Sequence, residues 1–269
     1  MACDHAGMKT TTITPPESAD VTAPKRAAGA ARPRALVTRR VLILVLAALP
    51  WAGAHAQRAA TPDLAQAARL VKDGANALRA SQGVAGLETE GQLERTAAAF
   101  AAFMAAGDRY GHEADGRTPL QRAQAQGYRH CMVAENIAMV FNSAGYTTEA
   151  LATQLVEGWS NSPPHRRNLL DAALTQTGVA LARSATSGRY YAVQMFGRPE
   201  SLQLQFGLVN RSADTVSYDI DGATHSLRPN ESMGHTVCSA GALVLRLPGE
   251  REPRPMQASD GARYALVRP

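Results

Sequence analysis

Up to Asp171 the apolar residues of this chain recur every three or four positions, and beyond it they alternate or gather in β-branched and aromatic runs. The first pattern belongs to helices with one buried face and the second to strands. Helices first and strands after predict an α+β fold in which helices pack on an antiparallel sheet. With 269 residues, 45% of them hydrophobic, the chain is long enough for one or two domains with real cores.

The helix boundaries carry local signals. Thr61-Pro62-Asp63 reads as an N-cap, a proline at the first helical position and an acid in the first turn. Leu64, Ala67, Ala68, Val71, Ala75 and Leu78 follow at helical spacing, which predicts a helix over about 62–80. Thr89-Glu90-Gly91-Gln92 reads as a capping box ahead of Leu93, Ala97, Phe100 and Met104, with Gly107 as the stop. Thr118-Pro119-Leu120-Gln121 opens a short helix that ends at Gly127. A fourth starts at Thr147 or Thr148, shows Leu151, Leu155 and Trp159 on one face, and must end before Pro163-Pro164.

Thr177–Arg183 and Arg189–Phe196 then read as a hairpin around Ser184-Ala185-Thr186-Ser187-Gly188. After Pro199 the texture shifts again. Residues 202–206 alternate, and Val216–Ile220 meets Ala223–Leu227 through Asp221-Gly222, the sign of a tight primed turn. Further strands are expected at Ala242–Leu247 and Tyr264–Val267. The reading is three segments: a leader over 1–56, an α+β domain over 57–199 and a small sandwich-like β domain over 200–269.

The net charge of +5 suggests nucleic acid until the charges are located. Seven of the 28 Lys/Arg and three of the 23 acids precede Arg58, which leaves 21 basic and 20 acidic residues for the rest. Phosphate binding needs a clustered basic excess, so the body of the chain is not read as a nucleic-acid binder. The leader has its own logic. Arg39-Arg40 precede the apolar run Val41–Leu49, and Ala54-His55-Ala56 supplies a small-x-small site before Gln57, the three parts of a secretory signal. The run is shorter than the roughly 20 residues that span a bilayer. Cleavage at Ala56–Gln57 would place the chain in the periplasm or outside the cell, with no stable membrane span. It would also remove Cys3, leaving Cys131 and Cys238 as either a disulfide or two separate buried thiols.

The chemistry-bearing residues fall in three phrases: Gly111-His112-Glu113-Ala114-Asp115-Gly116, then Ala134-Glu135-Asn136-Ile137-Ala138, then Trp159 with Ser162-Pro163-Pro164-His165-Arg166-x-Asn168. With Pro119, Gly127-Tyr128, Thr177-Gly178-Val179 and Tyr190-Tyr191-x-x-Gln194-x-Phe196-Gly197, the ordered series over about 62–198 resembles the CAP superfamily (cysteine-rich secretory, antigen-five and pathogenesis-related proteins), in its bacterial branch. The resemblance implies an α-β-α sandwich. It also implies a cleft of two histidines and two glutamates, and on it His112, Glu135 and His165 take three of the four places. Ser162 stands where the second glutamate is expected, three residues after Trp159, and Glu157 is a poor substitute.

Two imidazoles and a carboxylate suit a divalent metal such as zinc, or a proton held near neutral pH. The alternative is a structural role. Glu135 would then accept from backbone amides or a histidine to pin a loop, His165 would tie the Pro-Pro turn to the sheet, and Asn136 and Asn168 would serve as loop-fixing donors. Ser162 with His165 is no convincing nucleophile pair, because prolines separate them and no acid orients the imidazole. His225 and His235 are expected on a solvated surface, and Cys131 is not expected to be reactive. No phosphate loop or cofactor fingerprint is present.

Three functions follow from this reading. The missing glutamate favours an exported binder whose cleft of His112, Glu135, Ser162 and His165 takes a small lipid-like, peptide-like or cell-wall ligand or an envelope protein. The second is a metal-assisted or acid–base hydrolase using His112, Glu135 and His165. The third is an envelope interaction module acting through the β domain.

Overall fold

In the computed structural model, which describes residues 61–239, 243–247 and 251–267, the helix starts follow the capping chemistry with small shifts. The expected leader, its cleavage site and Cys3 lie outside the described residues. Helix α1 (Leu64–Ser81) is capped by Asp63, whose carboxylate accepts from the Gln66 amide, so the expected first-turn acid is itself the cap. Helix α2 (Gly91–Gly107) is capped by Glu90 and not by Thr89. Thr89 is taken by the two-residue strand β1 (Glu88–Thr89), which leaves the Glu90 carboxylate as the nearest free acceptor. Helix α3 (Pro119–Ala125) carries the full capping box between Thr118 and Gln121.

Strand β2 (His130–Val140) comes next, where no strand was expected. Helix α4 (Thr148–Asn161), capped by Thr147, stops before the prolines. Pro163 and Pro164 then open a second helix, α5 (Pro163–Leu170). A proline at the first helical position forfeits no hydrogen bond and brings its φ already set, so the pair that ends one helix starts the next. The hairpin of β3 (Gln176–Arg183) and β4 (Tyr190–Pro199) completes this part.

The sheet runs β1-β3-β4-β2, antiparallel except for the short β1–β3 pair. Central β4 is buried from Tyr190 to Gly197. Tyr190, Ala192 and Phe196 face a core built with α1 and α4, while Tyr191, Val193 and Met195 face a second core built with α2. Helices on both faces make the α-β-α layers, which is why β4 reads as a continuous apolar run instead of an alternation. Arg79, fully buried near the end of α1, donates to the carbonyls of Ala85, Leu169, Asp171 and Leu174 and so stitches α1 to the α5–β3 connection.

Beyond a single 3-10 turn (Glu200–Leu202) the remaining strands are β5 (Leu204–Asn210), β6 (Val216–Ile220), β7 (Ala223–Leu227), β8 (Ser232–Val237), β9 (Leu243–Arg246), β10 (Arg254–Met256) and β11 (Arg263–Leu266). They form two sheets, β10-β9-β6-β7 and β11-β5-β8, around a third core containing Phe206, Leu208, Tyr218, Leu227 and Leu245. The architecture is thus α+β followed by a β-rich region. Asp221 and Gly222 both adopt positive φ, 49° and 82°, the primed turn that matches strand twist. The expected strand at 202–206 begins two residues later and extends to Asn210, while β8 and β10 were not anticipated. Cys131 at the start of β2 and Cys238 just after β8 form a disulfide across 107 positions. Among the described residues no helix is long and apolar enough to cross a membrane.

Candidate functional site

Glu135 lies within β2, on the face turned toward α2 and α3. Its side chain is 1% exposed. A carboxylate so buried needs a counter-charge and hydrogen bonds. The Arg122 guanidinium supplies both, with Nη2 2.8 Å from Oε2 and 3.0 Å from Oε1. His112 closes the set, its Nδ1 2.8 Å from Oε1. The same guanidinium donates to Asp115 Oδ1 and to the carbonyls of His112 and Arg117, and its carbon stands 3.5 Å from the Phe100 ring centroid. Arg122 therefore fixes the His112–Arg117 segment against β2. Of the two partners expected for Glu135, the carboxylate meets the histidine, His112. It anchors one imidazole and neutralises one guanidinium.

The second histidine sits on α5. Ser162 occupies the N-cap position, and its hydroxyl lies 2.9 Å from His165 Nδ1. The prolines therefore do not hold Ser162 and His165 apart: one helical turn brings positions i and i+3 together. Burial, and then the charge His112 would carry, lower the pKa of His165 from its ordinary value, so the two imidazoles feel each other and His165 favours its neutral form. The tie from α5 to the sheet is made by the His165 carbonyl, which accepts from Asn136 Nδ2, and not by the ring. Asn168 Nδ2 donates to the Glu135 carbonyl and to Asn136 Oδ1. Both asparagines are positioning donors that clamp α5 to the free edge of β2.

That edge has two more caps, both aimed at the Ile137 carbonyl: Trp159 Nε1 at 3.0 Å and the Tyr110 hydroxyl at 3.3 Å. Burial of the Tyr110 hydroxyl, and then the Glu135 charge, raise its pKa. Tyr110, His112, Glu135, Ser162 and His165 thus gather along β2, whereas Glu157 is exposed on α4.

The sequence reading missed Arg122 and Tyr110. No periodic signal marks Arg122, but a basic residue inside a short capped helix, seven positions after Asp115, was a legible hint of an internal ion pair. His225 and His235, expected on a solvated surface, are half-buried, and their rings pack on each other and on buried Tyr218. Concavities lined by Tyr128, Gln176 and Glu200, and by Leu64, Val179 and Leu181, do not include the cleft histidines.

In the donor set expected for a divalent metal, the carboxylate is already occupied. Both Glu135 oxygens are engaged by Arg122 and His112, so coordination through Glu135 would compete with those pairs. Among the described residues no group of three or more His, Cys, Asp or Glu is arranged to hold an ion. What remains for chemistry is two imidazoles, each with Nδ1 held, together with one serine hydroxyl.

A sequence model of the cysteine-rich secretory protein family, CAP, matches residues 73–196, which span the whole cluster. Among solved structures, an outer surface protein from Borrelia burgdorferi is similar at 20% identity and TM-score 0.45, covering 53% of this chain and 99% of that one. An extracellular SCP-domain protein from Bacillus anthracis is similar at 24% identity and TM-score 0.42, over 50% of this chain and 41% of its own. A cysteine-rich secretory protein from Staphylococcus aureus is similar at 18% identity and TM-score 0.39, over 50% and 39%. The chain therefore spans under half the length of the last two. No curated protein matches it in sequence.

Proposed function

We propose, from the premise that this chain carries a domain of the cysteine-rich secretory protein family over residues 73–196, that it is an exported binder. Its His112–Glu135–His165 cluster holds a small peptide-like, lipid-like or cell-wall ligand. One observation carries the reading: the Glu135 carboxylate is consumed by Arg122 and His112. A buried carboxylate paired in this way orients an imidazole, and it is not free to activate water itself. The ligand is met by the outward nitrogens of His112 and His165, near the Ser162 and Tyr110 hydroxyls. Export is supported by the leader in the sequence and by the Cys131–Cys238 disulfide, since such bonds persist in oxidising compartments. Cell fractionation with a tagged chain tests the location, and a purely cytoplasmic product would overturn it.

The binding test titrates short peptides, peptidoglycan fragments and lysolipids into protein with labelled histidines. One class should shift the ring signals of His112 and His165. His112→Ala and His165→Ala should each weaken binding roughly tenfold while the fold is kept, the loss of about one hydrogen bond.

A second reading, acid–base hydrolysis, is favoured by one feature. The Glu135 carboxylate holds His112 by Nδ1 and leaves Nε2 as a candidate base. Turnover of any probe that disappears in His112→Ala would establish it in place of the binder. Neither binding nor turnover across all three classes would sink both.

A further inference from the structure

The β-rich region holds a second histidine cluster, independent of the first. Tyr218 on β6 and His225 on β7 are cross-strand partners in one sheet, and Met233 and His235 stand two apart on β8 in the other. The four side chains meet where the sheets face each other. The Tyr218 hydroxyl lies 2.9 Å from His235 Nε2 and 3.4 Å from Met233 Sδ. The His225 ring is centred 5.4 Å from both the Tyr218 and His235 rings.

A hydroxyl has one proton, yet an imidazole nitrogen and a thioether sulfur both converge on this one. Both are soft or borderline donors that carry a lone pair when neutral. Met233 is 38% exposed, so one side of the cluster opens to solvent and an ion has a way in. Two acids outside the donor set are felt here, Glu231 through its charge on Tyr218 and Asp219 through its interaction with His225. Two imidazoles with a thioether and no thiolate suit a soft monovalent cation better than zinc or magnesium.

We propose that Met233, His235 and His225 form a binding site for Cu(I), with Met233 Sδ and His235 Nε2 as the converging ligands and His225 as the third. Tyr218 holds His235 in orientation until the ion arrives. The site does not depend on the proposed cleft function.

The test is a competition titration of Cu(I) against a colorimetric chelator under reductant-free anaerobic conditions that keep the disulfide closed. It uses the full chain carrying Cys3→Ser, so that the lone thiol cannot compete. Met233→Leu keeps the volume of the side chain, and its melting curve should match the parent. It should bind one Cu(I) fewer per chain, or bind that ion at least tenfold more weakly, and His235→Gln should do the same. The His112→Ala/His165→Ala double variant should leave this ion in place. The proposal is overturned if Met233→Leu leaves stoichiometry and affinity within that limit, if the loss follows His112 and His165 instead, or if Zn(II) displaces Cu(I) at equal concentration.

Discussion

Arg122, which no motif singled out, ties the candidate site together. It is 5% exposed, pairs with two carboxylates and lies against Phe100. Replacing it by leucine strips the buried Glu135 carboxylate of its guanidinium and leaves it only the bond to His112. Urea unfolding should show a loss of about 3–5 kcal/mol, the cost of an uncompensated buried charge. An Arg122→Leu/Glu135→Gln double variant should recover part of that loss, because the orphaned charge is gone. Asp108, the left-handed C-cap of α2, accepts from Ser187, Ser184 and Tyr191. The Ser187 bond above all holds its carboxyl below the usual range. A depressed folded-state pKa contributes stability above the unfolded value near 3.9, and that contribution is lost as pH falls through the folded value. Asp108→Asn, which tolerates the same backbone, should therefore be less stable than the parent at pH 7. The gap in urea midpoint should close as pH falls from about 5 toward 2; a gap independent of pH would refute the carboxylate's role.

Among the elements, the α2–β3 contact is the tightest. A methyl group at Gly178 would run into the backbone of Leu93 and Glu94 at the start of α2. The obstacle is helix backbone, which cannot swing aside as a side chain would. Gly178→Ala should cost about 3 kcal/mol or more in thermal or urea unfolding, at or above the upper end for overpacking, and should disturb α2 before α1. The α4–α5 junction shows the opposite economy. Pro163-Pro164 reads as a stop, and a stop it is, but the same ring geometry starts α5 and places His165 one turn from Ser162. Strand β2 escaped notice because two of its buried positions, Glu135 on one face and Asn136 on the other, are polar groups that other elements satisfy. Alternation of apolar and polar residues cannot reveal such a strand.

At the scale of the whole molecule, the Cys131–Cys238 bond closes a loop of 107 positions between the α-β-α layers and the two-sheet region. Chain entropy assigns a loop of that size about 4–5 kcal/mol, and removal of native disulfides commonly costs about 2–5. A Cys131→Ser/Cys238→Ser variant should lose stability in that range by urea unfolding; an unchanged midpoint would show the two parts held by packing alone. What could be read directly from the chain was local: the caps at Thr118 and Thr147, the proline stop, the Asp221-Gly222 turn and the change of period at Asp171. Each depends on residues a few positions apart, so the sequence alone determines it, and the ordered motif series adds the resemblance to a family. The tertiary structure decided the rest: that Glu135 belongs to Arg122, that β4 is covered on both faces, and that His225 meets His235 across two sheets. Those pairings arise from burial, which makes a charge or an imidazole seek whatever partner the fold carries to it, and burial is a property of the packed chain and not of any stretch of it.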